Sequence, residues 1–293
     1  MTSGLTLPVT LAVLFGALLH ASWNVLIKSA KDKSLDTALI HVMGCVVGIP
    51  LLVVVGLPPP TALPYVAISL VLHVGYYIAL AGAYKHGDLG TTYPIMRGFA
   101  PLLVAIGSGL FVGEVLPFMG WLGVAAVCAG VLLLGFNNTD FSHAGQRSAL
   151  RFAFANALII ACYTVVDGVG VRLATQDGGN AAQYVALLFL VDGIPYFFIV
   201  MSQMSPAQRD DARIYMRGRW PVALVGTIAS LGSYGIALWA MTQAPVAMVA
   251  ALREVSVLFA AVLGVVVLKE KFGVPRAMGT LLIMVGVVAL RMA

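Results

Sequence analysis

The chain has 293 residues, 60% of them hydrophobic and only 10% charged, with a formal charge of +5. A soluble domain needs far more charge on its surface, so that class is excluded. The positive balance does not point to nucleic acid, because the Lys and Arg residues form no basic stripe with interleaved aromatics.

The apolar residues fall into ten runs, each about the length that crosses the hydrocarbon layer of a bilayer. They predict helices at 5–27, 37–57, 63–84, 91–112, 117–136, 150–172, 181–201, 220–241, 246–268 and 275–291. Only helices let so apolar a chain satisfy its backbone in lipid, and the alternating segments of a closed barrel do not occur. The expected fold is therefore an all-α integral membrane protein with ten transmembrane helices. The first run has no basic leader and no clear cleavage site, so it reads as the first span, not as a removed signal. Pro and Gly mark the breaks: Pro58-Pro59-Pro60, Gly113-Glu114 before Pro117, and Lys269-Glu270-Lys271 before Pro275. The longest polar stretches are 137–149 and 202–219.

Charge sets an expected orientation. The odd-numbered connections hold Lys28, Lys31, Lys33, Lys85, Arg147, Arg151, Arg209, Arg213, Arg217, Arg219, Lys269, Lys271 and Arg276, whereas the even-numbered ones and the termini hold Arg172 and Arg291. The positive-inside rule places the odd connections in the cytoplasm and both termini outside. Trp121 and Trp220 fall at predicted helix ends, where interface anchors belong.

The second five helices are a faded copy of the first. Tyr76-Tyr77-Ile78-Ala79-Leu80 is answered by Tyr234-Gly235-Ile236-Ala237-Leu238, and Gly48-Ile49-Pro50 by Gly193-Ile194-Pro195. Trp23 is answered by Tyr163, and the spacing from Arg97 to Glu114 equals that from Arg253 to Glu270. The division is a first repeat at 1–137, a loop at 138–149 and a second repeat at 150–293. Five is odd, so the second copy inserts upside down. Inverted repeats are the architecture of alternating access, with the solute site near mid-membrane.

Ionisable groups inside a bilayer are expensive and are the first functional candidates. Arg97 and Arg253 occupy equivalent places in the fourth and ninth helices, where a fork of donors suits a carboxylate, phosphate or phosphonate. An internal ion pair is the competing role, with Glu254, Asp167 and Asp192 available as partners. The same three carboxylates are candidates for carrying a coupling proton. Glu114 and Glu270 sit at helix ends and read as capping or pairing positions. His20, Trp23 and Asn24 share a stretch of the first helix. With His73, Tyr76 and Tyr77 of the third, Tyr163 of the sixth and Tyr234 of the eighth, they would line a solute pocket. Each of these rings could equally satisfy a neighbouring helix backbone.

Other chemistries find no support. His20, His41 and His73 lack metal-ligand spacing, and Cys45, Cys128 and Cys162 read as small core residues. No Walker motif is present, so neither ATP nor another cofactor is expected. No nucleophile with a base appears at recognisable spacing, so the chain is not read as an enzyme. Gly44-x-x-x-Gly48 and Gly109-x-x-x-Gly113 read as close helix packing.

Two endings carry a family resemblance. Gly113-Glu114 followed by Gly120-Trp121-Leu122-Gly123 and Ala129-Gly130-Val131 resembles the end of an EamA domain. Lys269-Glu270 followed by Gly279 and Val285-Gly286-Val287 resembles a second such end. The start, His20-Ala21-Ser22-Trp23-Asn24 with Lys28, is similar to bacterial EamA-type members of the drug/metabolite transporter superfamily. The resemblance covers the whole chain. It implies two inverted five-helix repeats around a cavity lined by helices 1, 3, 4, 6, 8 and 9, with helices 5 and 10 outside as scaffold or homodimer contacts. It implies carriage of a small metabolite across the bacterial inner membrane. Many members resemble one another in having both termini cytoplasmic, opposite to the charge count here. The expected function is a secondary transporter of a small polar solute, with an anionic or zwitterionic one favoured, such as an amino acid or organic acid. The alternatives are an exporter of amine or drug-like cations and, further off, an intramembrane lipid-modifying enzyme.

Overall fold

The computed structural model describes residues 4–28, 30–86, 89–135, 146–268 and 273–293. Eleven helices follow in order: α1 Leu7–Lys28, α2 Lys33–Val55, α3 Leu63–His86, α4 Leu89–Phe111, α5 Phe118–Gly135, α6 Gln146–Gln176, α7 Ala181–Ser202, α8 Pro206–Met241, α9 Val246–Arg253, α10 Val255–Leu268 and α11 Val274–Met292. A single 3₁₀ turn, Pro60–Ala62, leads into α3. Among the described residues, ten stretches are long and apolar enough to cross a membrane, one of them running through the α9–α10 junction. The protein is an all-α, multi-pass membrane protein. The Glu270 position and most of the 138–149 loop lie outside the described residues.

Helix ends shift by up to about one turn, and two larger differences from the sequence expectation stand out. The polar stretch 202–219 is not a long loop: α8 begins at Pro206. Ser205 accepts from the Gln208 amide, Gln208 returns the bond, and Pro206 fills the first helical position, so the start is locally encoded. Trp220 therefore lies inside α8 and not at a helix end. The ninth predicted helix is interrupted: α9 stops at Arg253 and α10 restarts at Val255, with Glu254 as the hinge. The Glu254 amide bonds the Ala251 carbonyl, and the Val257 amide bonds that of Glu254, tighter links than the helical ladder.

Many large apolar side chains face outward, and small residues mark the places where helices meet. Val53, Val54, Phe111 and Val115 are each more than four-fifths exposed and meet lipid, whereas the helix seams are built on Gly. A Cβ on Gly48 of α2 would stand 3.1 Å from the Leu190 nitrogen of α7, and Gly193 lies against His41 and Cys45. The repeated Gly-Ile-Pro thus marks the α2–α7 crossing. At the α5–α11 seam, a Cβ on Gly130 would be 2.7 Å from the Gly279 carbonyl, and one on Gly279 would be 2.8 Å from that of Gly130. Such contact lets backbones approach where lipid provides no hydrophobic drive. Gly109-x-x-x-Gly113 is a different case. Gly113 has φ 73° and no neighbour within 4 Å, so it turns the chain after α4.

The packing has an exchange pattern. α1 lies on α8 and α3 on α6, while α2 packs on α7, α4 on α9 and α5 on α11. Interchanging the first five spans with the second five maps this set onto itself.

Candidate functional site

A cavity of about 130 Å³ opens among α1, α2, α3, α4, α6, α7, α8 and α9. It brings together every residue expected at the solute pocket: His20, Trp23, Asn24, His73, Tyr76, Tyr77, Arg97, Tyr163, Tyr234 and Arg253. The lining is broader than the six helices implied by resemblance, because α2 adds His41 and α7 adds Leu188, Phe189 and Asp192. Tyr93 and Ser230 complete it.

On α1, Trp23 Nε1 donates to His20 Nδ1 at 3.3 Å, and Asn24 Nδ2 donates to the His20 carbonyl at 2.7 Å. The two rings meet edge to face, with centroids 5.3 Å apart. On α3, His73 Nδ1 lies 2.8 Å from the Ser69 carbonyl, which can only accept, so the proton belongs on Nδ1 in that contact. The His73 ring stacks on Tyr163 at 4.4 Å, and Tyr76 meets Tyr163 at a right angle.

The carboxylates divide by their partners. Asp167 is fully buried. Its Oδ1 accepts from the Tyr184 hydroxyl at 2.8 Å, and its Oδ2 accepts from Tyr234. It therefore ties α6 to α7 and α8. Glu254 Oε2 stands 3.0 Å from Arg97 Nε, both side chains nearly enclosed. The N–H is poorly aimed, and Arg97 Nη2 has no hydrogen-bond partner among the described residues. Asp192 Oδ2 accepts from Tyr77 at 2.9 Å and lies 3.6 Å from His41 Nδ1. Its Oδ1 is buried and has no hydrogen-bond partner among the described residues. The carboxylates thus divide into a tie (Asp167), a counter-charge (Glu254) and a half-used acceptor on the cavity wall (Asp192).

Arg253 is differently placed from Arg97. Its guanidinium carbon stands over the Tyr234 ring at 5.1 Å, and no carboxylate is within ion-pair distance of it among the described residues. A cation over a ring face keeps its N–H edges available.

Glu114 lies away from the cavity and joins three elements. It accepts from Arg172 Nη2 at 2.6 Å, and both its oxygens accept from the Val246 amide at 3.0 Å. Arg172 also donates to the carbonyls of Met241 and Ala244. The carboxylate thus caps α9, whose last residue is Arg253, and the favourable sign at a helix N-terminus reinforces the bond. At the other end of the helices, Arg219 of α8 grips Asp36 of α2 through Nε and Nη2.

Sequence reasoning missed His41, Tyr93, Tyr184 and Ser69 as parts of these networks. A faint signal exists for two of them: Tyr93 precedes Arg97 by one helical turn, and Ser69 precedes His73 likewise.

A helical bundle with a polar, aromatic-lined cavity buried among eight membrane helices defines the architecture of a multi-pass solute-handling membrane protein. The EamA-like transporter family model matches residues 147–292, and the chain belongs to that family, within the drug/metabolite transporter superfamily. Over 70 residues it is 39% identical to an "Uncharacterized transporter in cobO 3'region" of Sinorhizobium sp. That match covers 24% of this chain and about half, 49%, of the relative's length. A solved crystal structure, described only as that of a protein, superposes with a TM-score of 0.78 at 18% identity over 97% of both chains. At that identity the likeness speaks for the fold alone.

Proposed function

We propose that the protein is a secondary transporter that moves a small polar metabolite, anionic or zwitterionic, by alternating access between two inverted five-helix halves, 1–137 and 150–293. The observation that carries this reading is Arg253: a guanidinium in a membrane-embedded cavity, supported by a ring face and with no carboxylate within ion-pair distance among the described residues. Leaving such a charge in lipid without function is costly, so it awaits an anionic group. The family and the transporter-named relative point to transport and away from catalysis.

In this mechanism the cavity is the fixed site, and the halves rock around it. Asp36–Arg219 ties α2 to α8, and Glu114–Arg172, with the α9 cap, ties the connection after α4 to α6 and α9. The bacterial inner membrane is the expected location by resemblance, with the outer helices α5 and α11 as scaffold or homodimer contacts. A cation exporter is the competing reading, favoured by the aromatic walls and Asp192. The test is saturable flux of labelled organic acids, amino acids and amines in liposomes holding the purified protein. Flux of anions or zwitterions supports the proposal, and flux of amines alone overturns it in favour of the cation reading.

A further inference from the structure

We infer that the outer surface of the bundle binds the headgroups of anionic phospholipids, through two arginine-and-aromatic stripes that α6 and α8 present to the same leaflet.

The two helices carry the same short pattern where they enter the membrane. On α6 it is Arg147, Arg151, Phe154 and Leu158. On α8 it is Arg213, Arg217, Trp220 and Leu224. Each set is spaced i, i+4, i+7, i+11, which puts its members on one face of a helix. Those faces turn outward. Arg147, Arg151, Arg213 and Arg217 are all exposed, and Phe154, Leu158 and Trp220 are each about half exposed. Val225 and Ile228 carry the outward apolar surface of α8 further into the span. Only the span α7 separates α6 from α8, so both stripes begin at the same end of the bundle.

Depth decides what these arginines meet. At a rise of 1.5 Å per residue, Arg151 and Arg217 lie about 4.5 Å outside Phe154 and Trp220. An exposed Trp at the end of an apolar run marks the membrane interface, and the headgroup layer beyond the hydrocarbon is about 5–7 Å thick. The guanidiniums therefore fall at the level of the lipid phosphates. Asp210 and Asp211 of α8 come still further out, towards water.

The helix also sorts its arginines by face. Arg219 turns inward and is taken up by Asp36. Arg147, Arg151 and Arg217 have no carboxylate within ion-pair distance among the described residues. Arg213 bonds Asp210 at 2.9 Å, but both side chains are largely exposed, so water screens the pair and spare donors remain. A guanidinium fork matches the oxygens of a phosphodiester. A soluble anion would use the arginines alone, whereas a phospholipid also lays its acyl chains on the apolar residues that continue each stripe.

The test is native mass spectrometry of the purified full chain in a neutral detergent, titrated with phosphatidylglycerol or with phosphatidylcholine of the same acyl chains. The wild type is expected to retain phosphatidylglycerol about tenfold more strongly. Arg147→Gln with Arg151→Gln, and separately Arg213→Gln with Arg217→Gln, should each cut that preference severalfold and leave phosphatidylcholine retention unchanged. Arg291→Gln, at the other end of the bundle, should leave the preference intact. Equal retention of the two lipids overturns the inference. So does a preference that survives in both double variants, or one that Arg291→Gln lowers as much as they do. Excess inorganic phosphate should not displace phosphatidylglycerol, and displacement would assign the arginines to a soluble anion instead. The two pairs are tested separately, so one that fails to fold leaves the other to decide.

Discussion

Arg97 and Glu254 meet at 3.0 Å, Nε to Oε2, where the chain breaks between α9 and α10. One residue before that break, Arg253 turns to the Tyr234 ring. Adjacent residues thus carry opposite duties: Glu254 answers a charge from the first half of the chain, and its neighbour offers a charge to the cavity.

The pair yields the first prediction. Arg97→Ala leaves the Glu254 carboxylate buried without its ion-pair partner, a loss of up to about 3–5 kcal/mol. The double variant Arg97→Met with Glu254→Gln should recover most of it, since neither charge is then stranded. Thermal melts of the purified proteins measure this. Equal melting temperatures for single and double variants would dissolve the claimed coupling.

Glu114 acts at a distance through the α9 cap. Glu114→Gln removes the counter-charge of Arg172 and weakens the bond to the Val246 amide, at a cost of about 1–3 kcal/mol. Because α9 ends in Arg253, solute affinity should fall with it. Retained affinity in a destabilised variant would show that the cap supports the fold without positioning the site.

Asp167 is expected to hold shape and not to carry a proton, because both its oxygens are engaged by Tyr184 and Tyr234. Asp167→Asn should lower the melting temperature while leaving the pH profile of flux in place. A flattened pH profile in a well-folded variant would return Asp167 to the coupling candidates.

The α5–α11 seam leaves no room for a side chain. Gly130→Val would push a branched Cβ onto the Gly279 carbonyl and the Ile283 nitrogen, both backbone atoms that cannot turn away. Overpacking of this kind costs about 1–3 kcal/mol or more. The cavity lies elsewhere, so any protein that does fold should keep its solute affinity. Size-exclusion profiles and binding of the folded fraction measure the two effects.

The ten spans were legible because run length and apolarity are local properties. The α8 start was also written locally, in Ser205-Pro206-Ala207-Gln208, but its polar residues resemble a loop when weighed by hydropathy alone. The break at Glu254 was not legible: Ala251-Leu252-Arg253-Glu254-Val255 looks like continuous helix, with no Pro or Gly to mark an interruption. The cavity residues stood out because each is polar in an apolar run. Their pairing did not, since His41, Tyr77 and Asp192 come from three helices far apart in sequence. The roles of α2 and α7 in the lining were hidden for the same reason. The Gly109-x-x-x-Gly113 spacing misled because a turn glycine and a packing glycine look alike until φ is known.

The account stands most directly on saturable flux in liposomes, with wild type beside Arg253→Ala and inserted protein matched by quantity. It predicts concentration-dependent flux of an anionic or zwitterionic solute for the wild type, and flux at the protein-free background for a folded Arg253→Ala. Flux through that variant equal to the wild type would contradict it and remove Arg253 from the mechanism.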